Sequence, residues 1–345
     1  VEGKRIFFTH IDGDGIFNVS RLDNKSYAGE IIYNEILKPY QDWPVTISLI
    51  TAYFEMRKYD DDRAHNLYRR LFSLPNAEAA SHTYTHPLKW QKKKSAIKVA
   101  GYDYDSGKET IGSVSMMREL FKRLAISKDV GILQWSGDCL PSGDDLNRVV
   151  QAKLLNINGG GGRYDARYDS YSSLYPLSIL RDGHRQVYAA SNNENVYTDL
   201  WKGPFYGFKD VTETYQRTED PIRVKPLNIY YHFYSGEHLA SLRALQRAFH
   251  YAAKQSLHKI HTSEYIRMVE DYFATRIRSI DGGFAVTTGG HLRTVRFDDT
   301  ARTLDRSRCQ GVSGAKREKG SLYVFLAAGS DHKIVFTNAS EAARR

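Results

Sequence analysis

Apolar positions recur along this chain in two rhythms. Arg5–Ile11, Val45–Phe54, Gly131–Trp135, Gln186–Ala190 and Leu227–Tyr234 are short runs dense in β-branched and aromatic residues, and they predict strands. Between them apolar residues return every three to four positions, at Tyr27–Leu37, Ala64–Leu74 and Ser113–Leu124. In the last of these, Met117, Leu120, Phe121 and Leu124 share one face. Gly236 breaks the strand that ends at Tyr234, and a helix follows with Leu239, Leu242, Leu245 and Phe249 on one side; a second covers about Thr262–Arg278. Alternation of this kind predicts an α/β fold built on a parallel sheet or barrel over residues 1–280.

The rhythm changes after Arg278. Asp281-Gly-Gly and Thr288-Gly-Gly are turn signals, and Phe284–Thr287, His291–Phe297, Leu322–Ala327 and Lys333–Thr337 predict short strands with no helical spacing between them. Residues 281–345 therefore read as a small β-rich C-terminal domain, truncated or whole. The stretches 158–184 and 191–226 show neither rhythm, which predicts functional loops. The chain opens on Val1 with a strand signal already at Arg5, as expected of a piece of a longer protein.

Composition narrows the classes. Of 345 residues 41% are hydrophobic and 26% charged, which fits a globular chain, and no run approaches the length of a membrane span. The net charge of +9 is spread thinly, +4 over residues 281–345 and +5 over the remainder. The one dense basic run, Lys92-Lys93-Lys94 with Lys89 and Lys98 nearby, sits in no nucleic-acid module and reads as solvated surface, with an electrostatic role as the lesser alternative. Cys139 and Cys309 can pair or stay free. Tyr is the commonest aromatic at 24 residues. The cluster Tyr164, Tyr168, Tyr171, Tyr175, Tyr197, Trp201, Phe205, Tyr206 and Phe208 suits a wet groove that packs on sugar rings, or equally loops pinned by aromatic anchors.

Three constellations carry chemistry. Asp12-Gly-Asp14-Gly follows the first predicted strand, where two carboxylates can converge on one face, one to bind a metal and one to act as a base; a surface turn would also explain it. His82-Thr-Tyr-Thr-His86 spaces two imidazoles as one helical turn would, so that both could meet one ion, and Thr83 excludes the His-Glu-x-x-His motif. His232 lies near the end of an apolar strand, placed to protonate a leaving amine or to serve as a core histidine.

Together Asp12-Gly-Asp14-Gly, Ser81-His82-Thr83-Tyr-Thr-His86-Pro87 and Ile229-Tyr-Tyr-His232 resemble the first, second and fifth motifs of the polysaccharide deacetylases, the NodB-homology carbohydrate esterases. The first motif departs by Gly13, since adjacent aspartates are usual. The third, Arg-x-Pro-aromatic, has only Asp138-Cys139-Leu-Pro141-Ser as its nearest counterpart, with Arg163 as the candidate substitute for the missing arginine. A narrower resemblance rests on His10-Ile-Asp-Gly-Asp-Gly, Gln134-Trp-Ser-Gly-Asp-Cys, Asn193-Glu-Asn-Val-Tyr, Gly203-Pro-Phe-Tyr-Gly-Phe and Tyr231-His-Phe-Tyr-Ser-Gly. It points to a bacterial periplasmic deacetylase of exopolysaccharide biosynthesis.

The resemblance implies a deformed (β/α) barrel followed by a β-rich domain. It implies that Asp14, His82 and His86 hold a divalent metal, Zn²⁺ by preference, with Asp12 as catalytic base and His232 as catalytic acid. Arg163, Asn193, Glu194, Tyr197, Trp201 and Tyr206 are the candidate substrate-binding residues. The implied substrate is an N-acetylgalactosamine-containing polymer, with no nucleic-acid partner, and export proteins of the same polysaccharide are candidate partners. Two other readings stay open: a noncatalytic carbohydrate-binding module, and a metal-dependent hydrolase of another N- or O-acetylated sugar.

Overall fold

A computed structural model of the chain describes residues 3–298, 300–318 and 320–337; the end of the expected β-rich segment, 338–345, lies outside the described residues. The chain divides into two compact units, one made of Phe7–Gln255 with Lys259–Ile266 and the other chiefly of residues 267–337.

The first unit is α/β. Its strands run parallel in the order Leu227–His232, Arg5–Asp12, Val45–Leu49, Ala77–Ser81, Val130–Gln134, Leu155–Ile157. Most are buried along their length, which is why they read as continuous apolar or small-residue runs rather than alternating ones. Helices cover the sheet with the faces that the sequence spacing predicts. Asp62–Ser73 buries Leu67, Tyr68, Leu71 and Phe72, and Ser113–Arg123 buries Val114, Met117, Leu120 and Phe121. The Phe72 and Phe121 rings meet at 4.6 Å. Each such side chain contributes about 1.5–3 kcal/mol by leaving water.

The sheet's two edges are joined by irregular chain. Past Leu155–Ile157, Gly160 bridges Ala189 in the parallel sense and the Ala189 N–H donates to the Gly159 carbonyl at 3.2 Å. The Ala190 N–H and the Ser191 hydroxyl then donate to Asn228 of the opposite edge strand at 3.2 and 2.6 Å. The result is the expected deformed (β/α) barrel. Gly160 is obligatory in that closure, because a Cβ there would lie 2.0 Å from the Tyr188 ring at a φ of +60°. The strand expected at Gln186–Ala190 is displaced: His184–Val187 pairs with Ser178–Arg181 in a hairpin, and 188–191 is the irregular seam.

The second unit is β-rich as expected. Arg276–Ile280, Gly283–Thr287 and Asp331–Val335 form one antiparallel sheet, and Thr294–Phe297, Ser321–Leu326 and Val312–Glu318 another. Leu322, Val324 and Leu326 alternate inward to meet Val286, Ile334 and Phe336. The helix expected over Thr262–Arg278 stops at Ala274, and Arg276–Ile280 pairs antiparallel with Gly283–Thr287 as a hairpin strand. The stretch 191–226 holds the short helices Glu194–Tyr197 and Val211–Arg217 within otherwise irregular chain.

Candidate functional site

The candidate residues sit where parallel strands end, the place where an α/β barrel gathers side chains from several strands. Asp12 is the last residue of Arg5–Asp12, His82 follows Ala77–Ser81, and His232 ends Leu227–His232. Gly13 separates the two aspartates because the chain there runs against the end of the neighbouring strand. A Cβ on Gly13 would come within 2.9 Å of Ile50 N and 3.0 Å of Ser48 O.

Asp14 faces both imidazoles. Its Oδ1 lies 3.0 Å from His86 Nε2 and its Oδ2 3.1 Å from His82 Nε2. Burial alone would raise the Asp14 carboxyl, but His86 and His82 hold it well below the usual carboxylate range. His82 Nδ1 lies 3.1 Å from the Gln134 carbonyl; a carbonyl only accepts, so Nδ1 carries a hydrogen and Nε2, the atom that faces Asp14, is the one left to ligate a cation. Asp14 Oδ2 and His82 Nε2 are buried with no hydrogen-bond partner among the described residues. Tetrahedral zinc ligands with bonds of about 2.0–2.1 Å stand about 3.3 Å apart. The donor set, its spacing and the two unsatisfied atoms therefore fit a divalent cation held by Asp14, His82 and His86.

The two histidines do not share a helical turn, contrary to the sequence expectation. Residues 82–86 form an irregular loop with Thr83 and His86 in the left-handed region, at φ of +68° and +57°. The loop is pinned by Glu109, a fully buried carboxylate that accepts the Tyr84 and Thr85 N–H groups at 3.0 and 2.8 Å, together with the Thr85 and Tyr102 hydroxyls. Sequence reasoning passed over Glu109, which lies in a π-helical turn, Lys108–Gly112.

Asp12 and His232 have different partners. Asn158 Nδ2 donates to both Asp12 oxygens at 2.9 and 3.1 Å, and the Tyr230 hydroxyl donates to Oδ2 at 2.6 Å. His232 Nε2 lies 3.6 Å from Asp12 and 4.0 Å from Asp14. Behind it Glu194 accepts His232 Nδ1–H at 2.9 Å, the His232 backbone N–H at 2.7 Å and the Ser235 hydroxyl at 2.7 Å. Burial would lower the His232 pKa, but the charge and hydrogen bond of the Glu194 carboxylate, together with Asp14 and Asp12, lift it to about 9. These neighbours favour the protonated form of the ring.

The candidate substrate residues separate. Glu194 is 1% exposed and orients His232 rather than lining a groove. Arg163 does not support Asp12: it pairs with Asp165 at 2.5 Å, donates to the Val196 carbonyl and lies over the Tyr168 and Tyr197 rings. Tyr197 is buried, with its hydroxyl 3.2 Å from that of Thr214, so it anchors the loop. Asn193 caps the Glu194–Tyr197 helix by accepting the Asn195 N–H. Trp201 and Tyr206 keep accessible faces. The Trp201 ring lies 4.3 Å from Tyr234, which stacks on His232 at 4.5 Å. Asn158 was missed in the sequence; it stands directly after Leu155–Ile157, a strand-end position like those of Asp12 and His82 in the structure. Asp138 braces its own loop by accepting the Trp90 and Leu140 N–H groups. Both thiols are free, and Cys139 is buried against the Trp135 carbonyl.

The sequence matches no family model and no curated protein. Several solved structures share parts of the fold. A putative polysaccharide deacetylase from Mycobacterium smegmatis is 11% identical over 78% of this chain and 92% of its own, with a TM-score of 0.48. A CE4 family pseudoenzyme from Bacillus anthracis is 11% identical over 77% and 66%, with a TM-score of 0.42. A 4-alpha-glucanotransferase from Thermococcus litoralis is 13% identical over 76% of this chain but only 40% of its own length, with a TM-score of 0.48. Likeness at this level does not extend to activity.

Proposed function

We propose that the chain is a metal-dependent polysaccharide deacetylase that removes N-acetyl groups from a sugar polymer. The observation that carries the reading is the meeting, at the barrel's strand ends, of a three-residue cation site with a differently held carboxylate and a protonated histidine. A divalent metal bound by Asp14, His82 and His86 would polarise the acetamide carbonyl and acidify a water. Asp12, fixed by Asn158 and Tyr230, takes the proton of the attacking water. Glu194 stabilises the charged His232 ring before transfer and holds Nδ1–H as His232 delivers its Nε2 proton to the departing amine. Acetate and a free amino sugar leave. Trp201, two rings away from His232, offers a face for a neighbouring sugar.

The finer reading is that of the deacetylase domain of PelA, acting in the bacterial periplasm on the N-acetylgalactosamine-rich Pel exopolysaccharide of biofilms. Residues 1–280 would be that domain, 281–345 the start of the one that follows, and polysaccharide export proteins its partners. The segments running from His10-Ile-Asp-Gly-Asp to Tyr231-His-Phe-Tyr support it. The test is acetate release by the Zn²⁺-loaded protein from N-acetylgalactosamine oligomers, N-acetylglucosamine oligomers and an O-acetylated sugar. Release from the first in preference supports the finer reading. Release from the O-acetylated sugar alone would overturn the amidase assignment.

A further inference from the structure

His10 lies beneath the base, buried and chemically unused by the reaction described above. Its surroundings fix every hydrogen in a chain that ends on Asp12. Asn158 turns its amide nitrogen to three acceptors, the two Asp12 oxygens and the Trp135 carbonyl at 3.0 Å, so its Oδ1 is the atom 3.1 Å from His10 Nε2. His10 Nε2 must then donate. On the other side Asn228 Oδ1 accepts the Ala190 N–H, which turns its Nδ2 toward the Phe8 carbonyl at 3.3 Å and His10 Nδ1 at 3.2 Å. His10 Nδ1 must then accept. Both ends are set by backbone groups, so a single tautomer is consistent with the whole chain. The His10 ring also stacks at 4.1 Å on Tyr230, the second donor to Asp12.

We propose that His10 is a positioning residue that acts through Asn158, forming a relay from Asn228 to His10 to Asn158 that orients Asp12 with uncharged donors. The inference rests on the reading of Asp12 as the base. Burial holds His10 down to about 4, so the ring stays neutral at working pH, as the relay requires.

The experiment compares His10→Phe, His10→Gln, Asn158→Ala and the His10→Phe/Asn158→Ala double variant as Zn²⁺-loaded proteins, reading kcat, KM and metal content. His10→Phe and Asn158→Ala should each lower kcat by about 10–100-fold, as loss of groups that orient a site does, with KM and metal content unchanged. His10→Gln, whose amide offers a donor and an acceptor, should keep most of the rate. The double variant should be no slower than Asn158→Ala, because residues in one chain do not add. Multiplied losses in the double variant, or loss of metal in His10→Phe, would overturn the relay. In parallel, ¹⁵N NMR of histidine-labelled wild type reads the tautomer without any assay. If wild type releases no acetate the functional reading falls, and the tautomer alone decides the relay: neutral Nε2–H supports it, and Nδ1–H or a charged ring overturns it.

Discussion

Asp12 and Asp14 stand two residues apart with different neighbours, and the proposed function gives them different work, so their amide substitutions should fail differently. Asp14→Asn removes the anionic group that faces both His82 Nε2 and His86 Nε2, and bound metal should fall with it. Asp12→Asn leaves those three ligands in place but removes the base; metal should stay while kcat drops about 10²–10⁴-fold. Metal content of the two purified variants checks this, and loss of metal from Asp12→Asn with retention in Asp14→Asn would reverse the roles. His232 gives a pH signature. Its pKa is raised to about 9, so the proton it must donate is present below that value and lost as pH rises through it. Glu194→Gln removes the charge responsible, and burial then acts unopposed by it. The alkaline limb of the kcat profile should move to lower pH; an unmoved limb would assign it to another group.

At the scale of elements, strand ends were legible in the sequence and loop conformations were not. Asp12 and His232 fall at the ends of predicted apolar runs, whereas His82 follows Ala77-Glu-Ala-Ala-Ser81, a small-residue strand that the sequence pattern did not predict. The shape of 82–86 was not legible, because it is set by Glu109, a buried carboxylate 23 residues beyond His86 that takes two of the loop's N–H groups. Nor was the support of Asp12: Asn158 is announced only by its position before a run of glycines, and Arg163, the charged residue nearby in sequence, is held by Asp165. Gly13 tests the strand-end geometry. Gly13→Ala would push a methyl into the backbone at 48–50, displacing Asp12 from Asn158 or Asp14 from the histidines. We expect at least tenfold loss of kcat or of metal affinity in a protein that still folds by circular dichroism; full activity would show that the contact yields at little cost. The 191–226 loop makes its own prediction. Asp199, Leu200 and Trp201 are successive left-handed residues, at φ of +49°, +53° and +64°, a local strain of the kind found at ligand clamps. Trp201→Ala should raise KM for oligomers more than for a small activated acetate ester, whereas equal effects on both would make Trp201 a structural anchor.

Over the whole molecule, the alternation of strand and helix foretold the parallel barrel, and the turn-rich tail foretold the β-rich unit. The seam was hidden, since 188–191 closes the barrel with side chains of Asn228 and Ser191 in place of a regular ladder. Val312–Glu318, a charged strand without apolar alternation, was hidden for the same kind of reason. Among the described residues no helix is long and apolar enough to cross a membrane. The central claim is that a cation held by Asp14, His82 and His86 is needed for hydrolysis of an N-acetylated sugar polymer. The direct test measures acetate released from N-acetylgalactosamine oligomers by the Zn²⁺-loaded protein, by the same protein after chelation, and after Zn²⁺ is returned, with metal content read at each stage. The account predicts release with one ion per chain, loss on chelation and recovery on reloading, none of it in His86→Ala. A chain that holds its ion and releases no acetate would contradict it.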